Sequence, residues 1–469
     1  MSRRRRLLWL RDSSGYAREA KLTRANIWLF WGFWAVLSLL WLVVNGTVFP
    51  VANIFALRER LMQFSGVLAI GAMSAAMILA IRPRWPEARL GGLDKMYRLH
   101  KWLGIGVLGL AVFHWLWSEG PKWAVGAGLL TRPARGPRAE ITDPVLQTLR
   151  SFRGTAEEVG LWAFYALVVL LLIALVKKIP YRWFRYSHRL IALAYLALAF
   201  HAVILLDYAM WMTPLGVVLA VLTLAGAYAA VLSLVGRIGA ARRVTGQIAE
   251  MRNYPGVHSL ETVIELGQGW QGHKAGQFAF ATSDRIEGAH PYTIASAWDP
   301  ANPKVTFISK ELGDHTTGLV DRLKVGQKIT VEGPYGCFTF DDGLPHQIWV
   351  GAGIGITPFI ARLKDMAAHS PMQACPEIDL FHTTREVDED ALERLAQDAR
   401  AANVRLHVLI DDRDGRLSAE HIRRTVPGWR GASLWFCGPI KFGAALRADF
   451  AAEGMAVDHR FHQELFEMR

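Results

Sequence analysis

In the first half of the chain apolar residues come in long runs rather than in alternation. Six stretches, at 26–46, 60–82, 100–118, 158–176, 188–207 and 211–236, are rich in Leu, Ala, Val and Trp. Each is near the roughly 20 residues a helix needs to cross about 30 Å of hydrocarbon. They predict six spanning helices, because a helix satisfies its own backbone in lipid. Beyond residue 242 the pattern shortens to alternating runs at Val244–Glu250, Leu260–Leu266, Gln277–Thr282, Tyr292–Ala297, Lys304–Ser309 and Lys328–Glu332, separated by Gly- and Pro-containing turns. Many short strands with regular turns predict a small antiparallel barrel. After Pro345, strand-like runs at Gln347–Val350, Ile378–Thr383, Arg405–Ile410 and Leu434–Cys437 alternate with helical stretches. That order predicts a parallel sheet with crossover helices. The expected fold is a six-helix transmembrane bundle followed by an antiparallel β-barrel and an α/β parallel-sheet domain. The expected boundaries are 1–25 for an N-terminal segment, 26–238 for the bundle, 242–343 for the barrel and 345–469 for the parallel-sheet domain.

The net charge of +12 over 469 residues raises nucleic-acid binding. Its distribution argues against that, since much of it borders the apolar runs. The Arg-rich start and the short links 83–99 and 177–187 are basic, which puts them, and both termini, on the cytoplasmic side. The long 119–157 loop then falls outside, although it carries arginines; long loops follow the charge rule less strictly. Cys337, Cys375 and Cys437 have no metal-like spacing and suggest a reducing compartment. Leu7–Leu10 is too short for the core of a signal peptide. A bacterial inner membrane is the expected location.

Four histidines, His100, His114, His188 and His201, are the only ones before residue 258. A lone His in an apolar helix is more often a packing residue. Two matched pairs on the third and fifth runs, fourteen and thirteen residues apart, favour ligands instead. Imidazole suits haem iron, and facing helices hold cofactors in bundles. With both runs crossing in the same direction, depth alone pairs His100 with His188 near the cytoplasmic face and His114 with His201 near the outer face. Two b-type haems are expected, each closed on both axial sides and so suited to passing electrons. Fourteen residues is close to four turns. Thirteen is not, so the fifth helix is expected to tilt or distort, or to carry its haems on either side.

Gly351-Ala352-Gly353-Ile354-Gly355-Ile356-Thr357-Pro358 lies between a strand and a helix. A Gly-rich turn there lets backbone approach a pyrophosphate, and the helix N-terminus favours its charge. Alone the motif is weak, because it departs from the strict G-x-G-x-x-G form.

His290-Pro291-Tyr292-Thr293 resembles the H-P-F-T flavin motif of NADPH oxidases and ferric reductases, within the ferredoxin–NADP reductase family. The resemblance implies that Tyr292 stacks on the isoalloxazine ring, Thr293 hydrogen-bonds near the reactive nitrogen, and His290 faces the ribityl–phosphate part. Gly313-Asp314-His315-Thr316 resembles the loop holding the FAD pyrophosphate, with His315 where the oxidases commonly carry Trp. Gly351–Phe359 is close to the family's nicotinamide dinucleotide loop, and Cys437-Gly438-Pro439 matches the motif beside the nicotinamide. Glu464-Leu465-Phe466 resembles the C-terminal acid and aromatic, whose ring covers the flavin until nicotinamide displaces it. Thr293, Cys437 and Phe466 are thereby implied nearest the chemistry. Arg385, just past the second strand, is placed to meet a 2′-phosphate, which favours NADPH, with NADH the alternative. The histidine spacings are those of the ferric reductase/NADPH oxidase transmembrane domain.

The barrel is thus expected to bind FAD and the parallel sheet NAD(P). The implied activity is electron transfer from cytoplasmic NADPH through FAD and two haems to an outside acceptor, oxygen or a ferric chelate. Lipid is the expected surroundings, no nucleic acid is expected, and no protein partner is required. Arg58 and Arg60 are candidate anion-attracting charges, or else topology and packing residues. A second reading hands electrons to quinone or a periplasmic protein. A third, a transition-metal transporter, lacks carboxylate or thiol co-ligands within the spans.

Overall fold

The computed structural model describes residues 24–131, 143–176, 178–284, 287–313, 315–369 and 376–464. They fall into two compact units, 24–86 with 95–238, and 87–94 with 239–464.

The first unit carries six helices long and apolar enough to cross a membrane. They are α1 (Arg24–Asn45), α2 (Ile54–Ala80), α3 (Leu93–Gly126), α4 (Arg153–Leu175), α5 (Tyr181–Leu205) and α6 (Pro214–Leu234). All six expected spans are present, and several outrun their apolar runs. α3 begins at Leu93 and α5 at Tyr181, so His100 and His188 lie about two turns inside helices rather than at their starts. The preceding turns mix polar, aromatic and aliphatic residues but contain no Gly or Pro, and polar positions alone do not stop a helix. At its other end α3 runs through Pro121 to Gly126. The expected 119–157 loop therefore contains the end of α3, a short helix at Pro144–Ser151 and the start of α4; residues 132–142 lie outside the described residues. α6 starts where Thr213 accepts from the Gly216 N–H and Pro214 occupies the first turn.

α4 packs along α5, and α6 along α2 and α5. Small residues allow close approach. A Cβ at Gly226 of α6 would lie 2.2 Å from the Tyr195 hydroxyl oxygen. That hydroxyl pairs with Ser74 Oγ at 2.9 Å and donates to the Thr223 carbonyl at 3.1 Å. Three helices thus meet at a satisfied polar point inside an apolar bundle.

The second unit contains both predicted sheets. The antiparallel one comprises β1 (Arg243–Tyr254), β2 (Ser259–Leu266), β3 (Phe278–Thr282), β4 (His290–Thr293), β5 (Lys304–Lys310) and β6 (Lys328–Tyr335), in the order β4-β3-β6-β1-β2-β5. Its edges approach each other: Ile294 bridges Phe307, and the Ala295 N–H donates to the Thr306 carbonyl at 2.8 Å. The strand expected at 292–297 ends at Thr293 because the chain leaves β3 there and turns to β5. Ile248, Ile264, Val305, Phe307, Ile329 and Val331 fill the interior.

The parallel sheet comprises β7 (His346–Ala352), β8 (Glu377–Thr384), β9 (Arg405–Ile410), β10 (Ser433–Cys437) and β11 (Phe461–Gln463), ordered β11-β10-β7-β8-β9. α7 (Thr357–Ala368), α8 (Glu389–Ala401), α9 (Ala419–Thr425) and α10 (Ile440–Ala452) connect and cover it. Both faces are buried, as parallel sheets require. Ile348, Val350 and Phe436 point into one core, and Trp349 and Trp435 into the other.

Candidate functional site

The four histidines converge in two pairs. His100 and His188 have ring centres 5.9 Å apart at 66°, and His114 and His201 have theirs 6.3 Å apart at 80°. Two imidazoles that ligate one metal from opposite sides need ring centres about 6 Å apart, from two metal–nitrogen bonds of about 2 Å and roughly 1 Å within each ring. Both pairs fit that span. α5 reaches both partners as one continuous helix, despite its thirteen-residue spacing.

The hydrogen bonds around the rings decide which nitrogen is available. His100 Nδ1 lies 2.8 Å from the Ala76 carbonyl, and His201 Nδ1 lies 2.8 Å from the Ala156 carbonyl. A carbonyl only accepts, so each Nδ1 carries the proton and each Nε2 keeps a lone pair. His114 Nδ1 lies 3.0 Å from Ser65 Oγ, whose own proton goes to the Leu61 carbonyl at 2.7 Å; Ser65 therefore accepts from His114. His188 differs: among the described residues its buried Nδ1 has no partner, and Phe184 stacks on the ring at 5.0 Å. Fixing the tautomer through a backbone carbonyl is the usual support for a metal-binding imidazole. Glycine makes room: a Cβ at Gly160 would lie 1.9 Å from His201 Nδ1, and one at Gly66 would lie 3.4 Å from His114 Cε1.

Arg58 and Arg60 take the packing role. Pro121 has no N–H, so it leaves the Trp117 carbonyl without its helical donor. Arg58 Nε fills that gap at 3.1 Å, while its Nη2 donates to the Ser118 carbonyl at 3.1 Å. Arg60 donates to the Thr47 carbonyl at 2.8 Å.

In the second unit, β4 presents His290, Pro291, Tyr292 and Thr293. His315 stacks on His290 with ring centres 3.4 Å apart, and its Nε2 lies 2.8 Å from the Tyr292 hydroxyl. Its Nδ1 pairs with Glu287, which Arg322 also holds at 3.0 Å. Burial would raise the Glu287 carboxyl, but His315 and Arg322 outweigh it and hold it below its ordinary value. Burial first, and the Glu287 charge second, push the Tyr292 phenol up, so it stays neutral. A cleft beside Tyr292 is lined by Thr262, Ile264, Phe307, Ser309 and Leu323. Thr316 Oγ1 accepts from the Leu312 N–H at 2.9 Å, and a Cβ at Gly313 would meet open space. Asp314 lies outside the described residues.

The Gly-rich turn and the Cys437 motif meet at one edge of the parallel sheet. After β7 the chain makes a 3₁₀ turn at Gly353–Ile356, with Gly353 at φ +55°, and enters α7 at Thr357 and Pro358. A Cβ at Gly355 would lie 2.2 Å from the Cys437 carbonyl oxygen, and one at Gly438 2.7 Å from Ala352 Cβ. Thr357 Oγ1 donates to the Ile354 carbonyl at 2.8 Å. The Cys437 thiol is fully buried, and burial, with the Glu464 charge, pushes it well up. Burial thus keeps the thiol in its protonated form. Pro439 precedes α10. Arg385 stands exposed just past β8, and Lys310 holds the neighbouring Glu386 at 2.6 Å. Phe466 lies outside the described residues.

Residues 65–199 match the family described as ferric reductase like transmembrane component. That part of the membrane half, which holds all of α3 and α4 and most of α5, is similar to the family. Among curated proteins, ferric reduction oxidase 2 of Arabidopsis thaliana is 35% identical over 109 residues, 21% of this chain and 15% of that protein. The reductase subunit of an aromatic O-demethylase from Amycolatopsis is 28% identical over 207 residues, 41% of this chain and 60% of that protein. The chain thus spans from 15% to 60% of these relatives' own length. Among solved structures, Amycolatopsis cytochrome P450 reductase GcoB aligns with TM-score 0.42 and 22% identity, covering 48% of this chain and 70% of that one. The FAD/NAD-binding domain of a Vibrio cholerae nitric oxide dioxygenase aligns with TM-score 0.41 and 18% identity, covering 47% and 97%. The second unit itself carries one antiparallel and one parallel sheet.

The groups that support the histidine pairs, Ser65, Ala76, Ala156 and Gly160, have no sequence signal of their own. In the second unit His382 likewise carries none. It pairs with Gly351 across the β7–β8 ladder, and its Nδ1 donates back to the Gly351 carbonyl at 3.1 Å, fastening the root of the Gly-rich turn. Burial lowers its pKa from 6.5 to about 4. Between those values the unfolded chain binds a proton that the folded chain excludes. This part of the stability is complete above pH 6.5 and is lost as the pH falls toward 4, up to about 3 kcal/mol. His382→Gln keeps a donor but does not titrate. Thermal melting of the full-length protein at pH 7.5 and pH 5 is expected to show a smaller acid loss for the variant than for the wild type. Equal losses would remove His382 from this account.

Proposed function

We propose that the chain is an integral membrane NAD(P)H-dependent oxidoreductase that moves electrons across the bilayer. The observation that carries the reading is the pair of histidine sites, each of the span that two imidazoles sharing one metal would need, with three of the four Nδ1 atoms anchored. When bound, FAD would take a hydride from NADPH, and two b-type haems would carry single electrons to oxygen or a ferric chelate. His100 and His188 would hold one haem, and His114 and His201 the other. Tyr292 and Thr293 would support the flavin ring, and Gly313 and Thr316 its pyrophosphate. The turn Gly351–Pro358, with Arg385 and Cys437–Pro439, would hold the nucleotide. No side chain acts as acid or base: these residues place, orient and shield.

The basic links and the Arg-rich start favour both termini, and the His100/His188 pair, on the cytoplasmic side of a bacterial inner membrane. The test is a reduced-minus-oxidised visible spectrum of the detergent-purified protein, with NADPH as reductant under nitrogen, before and after admission of air. A b-type signal that appears with NADPH and vanishes in air supports the path and makes oxygen an acceptor, to be ranked against ferric chelates by initial rate. Bound flavin without haem would sink it. The likeness to reductase subunits favours a second reading, delivery to quinone or a protein. A haem signal that NADPH produces and neither air nor ferric chelate discharges would select it.

A further inference from the structure

The two histidine pairs differ in their outer contacts, and that difference bears on electron flow. In the His114/His201 pair both Nδ1–H groups have acceptors: Ser65 Oγ at 3.0 Å, backed by the Met62 carbonyl, for His114, and the Ala156 carbonyl at 2.8 Å for His201. In the His100/His188 pair, among the described residues, only His100 has one, the Ala76 carbonyl at 2.8 Å; the buried His188 Nδ1 has none. Phe184, stacked on that ring, supplies no acceptor. An acceptor at Nδ1–H draws the proton outward and makes the imidazole a stronger donor through Nε2. A stronger donor favours the ferric over the ferrous state, so it lowers the reduction potential.

Resting on the two-haem reading above, we propose that Ser65 and the bare Nδ1 of His188 set the two positions at different potentials, with His114/His201 the lower. The step concerned at each position would be one-electron reduction of ferric to ferrous iron, with the preceding carrier losing that electron and no bond made or broken. Ser65 is a positioning residue that acts through His114. Its exchange for alanine removes one oxygen from a fully buried site and leaves the packing of α2 otherwise in place.

The test is an equilibrium redox titration of the full-length protein, followed in the α band, with haem counted by pyridine haemochrome. Wild type is expected to titrate in two resolved steps. Ser65→Ala removes the 3.0 Å acceptor of His114 and leaves that ring only the Met62 carbonyl, so the lower step is expected to rise toward the upper one while the upper stays in place. His188→Ala is expected to leave one haem that titrates at the lower potential. A Ser65→Ala protein with two haems and both steps unmoved, or with the upper step moved, would overturn the inference. So would a His188→Ala protein titrating at the upper potential. A wild-type protein without haem would instead overturn the two-haem reading, so the two failures are distinguishable.

Discussion

Gly160→Ala is expected to cost the protein one of its two haems. The new methyl would lie 1.9 Å from Nδ1 and 2.5 Å from Cε1 of His201, inside the ring's own volume. The ring has to swing away, and in doing so it loses the Ala156 carbonyl that holds its tautomer. Loss of such an outer contact typically costs 10- to 100-fold in metal affinity, and here the ring is displaced as well. Helix propensity runs the other way: Gly to Ala within a helix gains about 1 kcal/mol, so a folding defect on that ground is not expected. Gly109→Ala in α3 is the matched control, since Gly109 is exposed on the face opposite His100 and a Cβ there meets no protein atom within 4 Å. Pyridine haemochrome analysis is expected to give about half the wild-type haem for Gly160→Ala and full haem for Gly109→Ala. NADPH-dependent flavin reduction is expected to persist in both, while reduction of an outside acceptor is lost in the first. A Gly160→Ala protein with both haems and full transfer would sink the assignment of His201.

What could be read from the sequence, and what could not, follows from the range of the forces involved. Membrane helices announce themselves because hydrophobicity must hold over a whole span, and all six appear where the apolar runs lie. Their ends do not, because Leu93–Leu99 and Tyr181–Ser187 are polar or mixed yet continue the helix. The histidines stand out as costly exceptions in apolar segments. Their supports cannot, because Ala76 and Ala156 act through backbone carbonyls, which every residue has, and Gly160 through the absence of a side chain. Arg58 shows the same limit from the other side. Its charge suggests an anion, but the carbonyl freed by Pro121, fifty-nine residues from it at Trp117, claims its guanidinium. The three-residue strand β11 is shorter than any pattern can mark and exists only by pairing with β10. His382 was hidden for a related reason: its role depends on the register that sets it beside Gly351.

Gly355→Ala is expected to stop nucleotide-driven reduction while sparing the membrane half. A Cβ at this position would lie 2.2 Å from the Cys437 carbonyl oxygen, 2.6 Å from its carbon and 2.9 Å from the Gly438 nitrogen. All three are backbone atoms at the end of a central strand, so no flexible side chain can yield. Either the 3₁₀ turn lifts off β10 or β10's end bends away, and in both cases the Gly-rich turn and the Cys437–Pro439 segment separate. A nucleotide bound across them is then held in the wrong place, and a misplacement of about 1 Å can cost on the order of 100-fold in rate. Stopped-flow mixing of NADPH with the oxidised protein is expected to show flavin reduction slowed by about that factor. Dithionite, which needs no nucleotide site, is expected to reduce Gly355→Ala as fast as wild type, with haem and flavin content unchanged. Gly428→Ala, where a Cβ meets open space in the same domain, is expected to match wild type in both assays. Wild-type reduction of Gly355→Ala by NADPH would mean that the nucleotide binds elsewhere on the sheet. An equal slowing with NADPH and dithionite would place the fault in the electron path beyond the nucleotide, not at this turn.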